Sequence, residues 1–100
     1  MQKVATTRRR SDEEKQNAAF GHAIYMLRMK ASLSQEELAF RSNVGRSYVG
    51  VLERGKEEPC LAIMFRLAKA LDASLVDLLG LAEQLYKDGY KPLPRNSRVR

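Results

Sequence analysis

Within Arg46-Ser47-Tyr48-Val49-Gly50-Val51-Leu52, two apolar residues, Val49 and Leu52, stand three apart, the spacing of one side of a short helix. With that side turned inward, Arg46, Ser47, Gly50 and Val51 face outward, and those nearest the N-terminus lie deepest when such a helix docks in a groove. Their chemistry suits base edges. Arginine offers a fork of donors that matches O6 and N7 of guanine, serine bonds to either kind of edge, and valine can touch a thymine methyl. A cation in the first turn opposes the helix macrodipole, so Arg46 needs a reason to be there, and guanine contact supplies one. Val51 reads equally as a passive surface residue. Gly50, which costs about 1 kcal/mol against alanine in mid-helix, marks either a close approach to DNA or drift. Ser34, Arg54, Lys56 and Tyr48 are candidates for phosphate contact, with burial of the Tyr48 ring beside the preceding helix as its alternative.

Other chemistries find no residues to carry them. His22 and Cys60 are the sole residues of their types, which gives no ligand set for a metal, no internal disulfide, and no nucleophile with a base and an orienting group. An enzyme is not expected, nor is a cofactor. Cys60 should pack as a small apolar side chain and His22 should sit on the surface or edge of its helix. The longest apolar run is the six residues from Cys60 to Phe65, far short of the roughly 20 that span a bilayer. The first residues lack the apolar segment of a secretory signal, so a cytoplasmic address is the expectation.

The formal charge of +6 over 100 residues points to an anionic partner, but its distribution is uneven. Residues 1–16 carry five basic and three acidic groups, residues 17–87 nine and eight, and residues 88–100 four and one. The central part is therefore no generic polycation, and if it binds DNA it must do so through placed groups. The tails would add salt-sensitive attraction or merely aid solubility.

Positioning the outward strip requires a scaffold, and the apolar periodicity supplies one of helices alone. Phe20, Ala23, Ile24, Leu27 and Ala31 follow the spacing of one helical face. Ser34 with Glu37 forms a capping box that opens a second helix, ending near Arg41, with Leu38 and the small Ala39 inward. Ser42, Asn43 and Gly45 around Val44 make a tight turn, with Val44 placed to staple onto Val49. The third helix runs from Arg46 to Arg54 and is stopped by Gly55, with Pro59 beyond. A fourth carries Leu61, Met64, Leu67, Ala68 and Leu71 on one face. A fifth opens at Ser74 with Asp77, turns Leu75, Leu78 and Leu79 inward, and continues through Leu81, Ala82, Leu85 and Tyr86 beyond what a minimal core needs. The division is a flexible arm over 1–16, one domain over 17–88 and a basic tail over 89–100.

Several blocks in order resemble the phage-repressor and Cro-like helix-turn-helix family of transcriptional regulators, also called the xenobiotic-response-element family. They are Leu33-Ser34-Gln35-Glu36-Glu37-Leu38-Ala39, Arg46-Ser47-Tyr48-Val49, Leu52-Glu53-Arg54-Gly55-Lys56 with Pro59, and Arg66-Leu67-Ala68-Lys69-Ala70-Leu71, within about Phe20 to Leu79. The resemblance implies an all-α, compact five-helix bundle of the lambda-repressor-like type. It also implies a homodimer on double-stranded DNA at a near-palindromic operator, regulating a nearby promoter, by repression above all. It further implies a phosphate contact from Gln35 that braces the recognition helix, and a pairing of Arg28 with Glu53, either an ordinary ion pair or a partly buried brace. Gly45 departs from the usual capping serine or threonine, Cys60 stands where a capping serine is common, and Glu57 and Glu58 occupy a loop that often carries basic phosphate contacts. The alternative function is an antitoxin-like protein binder that also represses its own operon, motivated by the apolar extension from Leu81 to Tyr86, which a homodimer seam explains as well.

Overall fold

The computed structural model describes residues 6–89, with side chains from Ser11 onward. Five helices follow one another, α1 Thr6–Lys30, α2 Gln35–Ser42, α3 Arg46–Glu53, α4 Leu61–Ala70 and α5 Leu75–Lys87, and there is no strand among the described residues. They close on one apolar core in which Ile24, Leu38, Val49, Leu52, Leu67 and Leu78 are all fully buried, one or more from every helix.

The connections share one design. Ser32, Asn43 and Asp72 take the left-handed conformation (φ 60°, 58° and 58°) just past the ends of α1, α2 and α4. The next residue's N–H then donates back to a carbonyl five positions earlier, Leu33 to Arg28, Val44 to Ala39 and Ala73 to Ala68, each at 2.9–3.0 Å. This is the closure that satisfies carbonyls left free at a helix end. Gly55, with φ 74°, does the same after α3, where Lys56 N–H bonds to the Val51 carbonyl. Ser34 and Ser74 cap the helices that follow, accepting from the N–H groups of Glu37 and Asp77. The Glu37 carboxylate completes the box by accepting from Ser34 N–H at 2.8 Å. Gly45 is extended rather than left-handed and caps α3 with no side-chain bond. Cys60 likewise caps α4 without one, and it is exposed rather than packed, since an N-cap points away from the core.

The termini depart most from expectation. Residues 6–16 of the expected arm are helical and continue α1 without a break. The stretch is rich in Arg, Glu, Lys and Gln, which favour helix, and Gln16, Asn17 and Phe20 lie beside Leu79, Ala82, Glu83 and Tyr86 of α5 around a cavity of about 370 Å³. α1 packs on α5 more extensively than any other pair of helices does. The extension of α5 therefore has an intramolecular partner: Ala82 is buried, and Leu81, Leu85 and Tyr86 are half-buried. Gly80 is absorbed within the helix. Ala31 and Leu61, expected on inward faces, are exposed, as is Leu79 in part. Residues 1–5 of the arm and 90–100 of the tail lie outside the described residues.

Candidate nucleic-acid interface

α3 is held rigidly from behind. Val49 and Leu52 are completely buried, and Val44 packs on the same cluster. Arg28, only 1% exposed, reaches from α1 to the end of α3 and binds Glu53 with both arms of its guanidinium, Nε to Oε2 at 2.6 Å and Nη2 to Oε1 at 2.9 Å. Its Nη1 donates to the Leu33 carbonyl at 2.9 Å, tying the α1–α2 turn into the same knot. Gln35, at the start of α2, adds a third donor, its Nε2 bonding to Glu53 Oε1 at 2.9 Å. One buried carboxylate thus joins three helices, and paired donors of this kind are what make a buried charge tolerable.

Small residues let the backbones meet behind this knot. A Cβ on Gly21 of α1 would collide with the Leu52 carbonyl and stand 2.9 Å from that of Glu53, and a Cβ on Gly55 would stand 2.8 Å from Ala18 Cα. Neither Gly21 nor Ala18 carried a signal in the sequence beyond being small residues on an apolar helical face.

The outer surface of α3 presents Arg46 and Ser47, both exposed, with Val51 half-exposed, while Arg54 and Lys56 are exposed at its far end. Gly50 departs from the outward strip: it is buried. It lies on the edge facing α2, where a Cβ would stand 3.4 Å from Arg54 Nη1 and 3.7 Å from Gln35 Oε1. The position is covered by two neighbouring side chains, so Gly50 cannot offer the surface of a base contact. Ser34 is exposed, and although its oxygen is engaged as a cap, its hydroxyl proton is free to donate elsewhere. Tyr48 is half-buried; burial pushes its hydroxyl above the ordinary value, and the charges of Glu57 and Cys60 push the same way, so it stays a neutral donor. Across the α2–α3 turn, the Glu36 carboxylate approaches Arg46 Nε at 3.7 Å, a pairing the sequence alone did not reveal. His22, half-buried on α1, stacks on Tyr25 at 5.6 Å and is held below its ordinary value by burial, against an opposing pull from Glu53.

The helix-turn-helix family matches residues 24–78, from the second half of α1 into α5, which takes in Arg28, Gln35, Glu53 and all of α2 and α3. The chain belongs to the helix-turn-helix family. Control protein C.BamHI of Bacillus amyloliquefaciens is 36% identical over 61 residues, 60% of this chain and 75% of its own length. The restriction-modification controller protein C.AhdI of Aeromonas hydrophila superposes with a TM-score of 0.61 and 44% identity, covering 62% of this chain and 94% of that one. The fold recurs in the C.Esp1396I controller tetramer, seen in complex with its natural 35-base-pair operator, with a TM-score of 0.67 and 22% identity over 72% of this chain and 95% of that one. The helix-turn-helix unit here is α2 and α3 with the turn at Asn43. Among the described residues no group of His, Cys, Asp and Glu could hold a metal ion, and no helix is long and apolar enough to cross a membrane.

Proposed function

We propose that this helix-turn-helix protein is a sequence-specific transcriptional regulator that lays α3 in the major groove of an operator. Arg46 and Ser47 read base edges and Val51 lies against them, while Ser34, Gln35, Tyr48, Arg54 and Lys56 hold the flanking phosphates. The observation that carries this reading is the contrast across α3: Arg46 and Ser47 are exposed, whereas Val49 and Leu52 opposite are wholly buried and the helix end is pinned by Arg28 and Glu53. A reading element must present its donors without first ordering them, because each immobilised side chain otherwise costs binding energy. Kinship with control proteins and with HTH-type transcriptional regulators favours regulatory work in the cytoplasm, done by binding rather than turnover.

A two-fold operator requires a second copy, and large apolar side chains remain exposed on several helices: Phe40 (87%) on α2 and Met26 and Met29 on α1, but also Leu61 (58%) and Phe65 (56%) on α4 with Val76 (79%) and Leu79 on the adjoining α5. We assign the dimer seam to α4 and α5, since isologous contact of such a surface buries it on both partners at once. The apolar extension Leu81–Tyr86, which motivated an unrelated protein partner, packs instead against this chain's own α1.

Selection of bound sites from a random duplex library tests the reading. The expected product is a two-fold motif with half-sites separated by about one helical turn, bound about 10³-fold or more above scrambled duplex. Arg46→Ala should weaken binding by about 1–3 kcal/mol and relax preference at one base pair per half-site. Recovery of no motif, or an unaltered motif with Arg46→Ala, would refute it.

A further inference from the structure

The first turn of α2 runs along one edge of α3 and touches it at two points. Gln35 bonds to Glu53 at the C-terminal end of α3, and Glu36 meets Arg46 at the N-terminal end. Between them lies Gly50, beside the Gln35 side chain. Glu36 is not needed to cap its own helix, because Glu37 and Ser34 already form the capping box. Both partners of the Glu36–Arg46 pair are largely exposed, 76% and 61%, so the pair contributes little to stability. It nonetheless sits on the leading residue of the reading helix, and there a carboxylate has two consequences. At 3.7 Å from Nε the carboxylate is too far for a hydrogen bond, so Arg46 keeps its donors for guanine O6 and N7 while feeling the neighbouring negative charge. The carboxylate also repels phosphate, so the guanidinium beside it is a poorer partner for the DNA backbone at large than a free arginine would be.

We propose that Glu36 is a specificity-determining positioning residue acting through Arg46: it holds the guanidinium for the base edge and withholds it from non-specific phosphate. This rests on the reading of Arg46 as a base contact. Specificity is a difference of two affinities, and Glu36 enlarges the difference by weakening the non-specific member more than the specific one. Ionic pairing to non-specific duplex depends on counterion release, so each additional phosphate contact steepens the salt dependence of that binding.

The test uses the full chain, the best duplex recovered from a random library, and a scrambled duplex of equal length, each titrated over a range of salt. Glu36→Gln is compared with Glu58→Gln, an exposed residue of the α3–α4 loop whose loss changes the net charge equally. The expected result is that Glu36→Gln tightens binding to scrambled duplex, steepens its salt slope, and lowers the specific-to-scrambled ratio about threefold or more, a size in keeping with an exposed pair. Glu58→Gln should shift both affinities together and leave the ratio unchanged. In an Arg46→Gln background, Glu36→Gln should no longer alter the ratio. A purely structural role for Glu36 would lower the thermal midpoint and leave the ratio alone, and that outcome overturns the proposal, as does an equal loss of ratio in both single variants. If Arg46→Gln by itself leaves the selected motif unaltered, the underlying reading and this proposal fall together. If Arg46→Gln changes the motif while Glu36→Gln is silent, only the proposal falls.

Discussion

At the scale of single residues, the strongest commitment in the molecule is the buried carboxylate of Glu53, whose side chain is 6% exposed and is met by Arg28 and Gln35. Arg28 is equally committed, since its third nitrogen, Nη1, is engaged by the Leu33 carbonyl. Removing one member of such a pair strands the other charge, and stranded charges cost far more than paired ones contribute. Arg28→Ala should therefore lower the free energy of unfolding by about 3–5 kcal/mol. The double variant Arg28→Met with Glu53→Leu should lose less than Arg28→Met alone, because it leaves no charge unpaired apart from the exposed groups nearby. Urea unfolding monitored by circular dichroism checks both, and additive losses would show that the pair is not coupled. The pairing of Arg28 with Glu53 and a bracing part for Gln35 were legible through the resemblance, but the bond from Gln35 to Glu53 was not. Neither was Glu36 beside Arg46: sequence spacing within one helix reveals neighbours at three and four residues, whereas these contacts cross between helices.

Among the helices, periodicity and caps place all five elements, and the Ser34 and Ser74 caps and the stop at Gly55 lie where their residue types put them. The start of α1 apart, faces are less legible than bounds. A helical wheel sets Gly50 outward from Val49 and Leu52, yet Gln35 and Arg54 cover it, because burial at a helix edge depends on the neighbouring helix rather than on the helix itself. Left-handed Ser32 and Asp72 escape for a related reason, since neither is the glycine that ordinarily advertises this conformation. Two helical glycines, Gly50 within α3 and Gly21 on the stretch of α1 behind it, then behave oppositely. Gly50→Ala meets only the flexible end of Arg54 at 3.4 Å and the Gln35 amide at 3.7 Å. It should stabilise the fold by about 0.5–1 kcal/mol through helix propensity and a less free unfolded chain. Gly21→Ala would drive a Cβ onto the backbone carbonyls of Leu52 and Glu53, forcing α1 off α3 at a cost of about 3 kcal/mol. Thermal unfolding of the two variants side by side is the measurement. Equal shifts would mean that α1 and α3 do not meet as closely as described.

For the molecule as a whole, the two misreadings at its ends explain one another. Read separately, residues 6–16 lacked an apolar period and the end of α5 had too much of one; in the structure residues 6–16 run unbroken into the rest of α1, whose Gln16, Asn17 and Phe20 stand beside Leu79, Ala82 and Tyr86 of α5. A polar stretch needs little apolar surface of its own when it prolongs a helix already anchored by Phe20 and Ile24, since adding residues to an existing helix avoids the cost of nucleating one. Charge is the other whole-molecule property, and it lies mostly outside the bundle: residues 90–100 contain Lys91, Arg95, Arg98 and Arg100 and no acid, against nine basic and eight acidic groups in residues 17–87. If recognition belongs to α3 and the tail supplies only attraction to phosphate, the two contributions separate under salt. Deleting residues 90–100 should weaken binding to operator and scrambled duplex by similar factors. It should also flatten the plot of log affinity against log salt by up to about 0.9 for each cation that had displaced a counterion, or about 3–4 per monomer if all four engage. The specificity ratio should survive, because no base contact has been removed. Fluorescence anisotropy at several salt concentrations distinguishes the cases: an unaltered slope means the tail serves something other than DNA, and a collapsed ratio means that it reads sequence alongside Arg46.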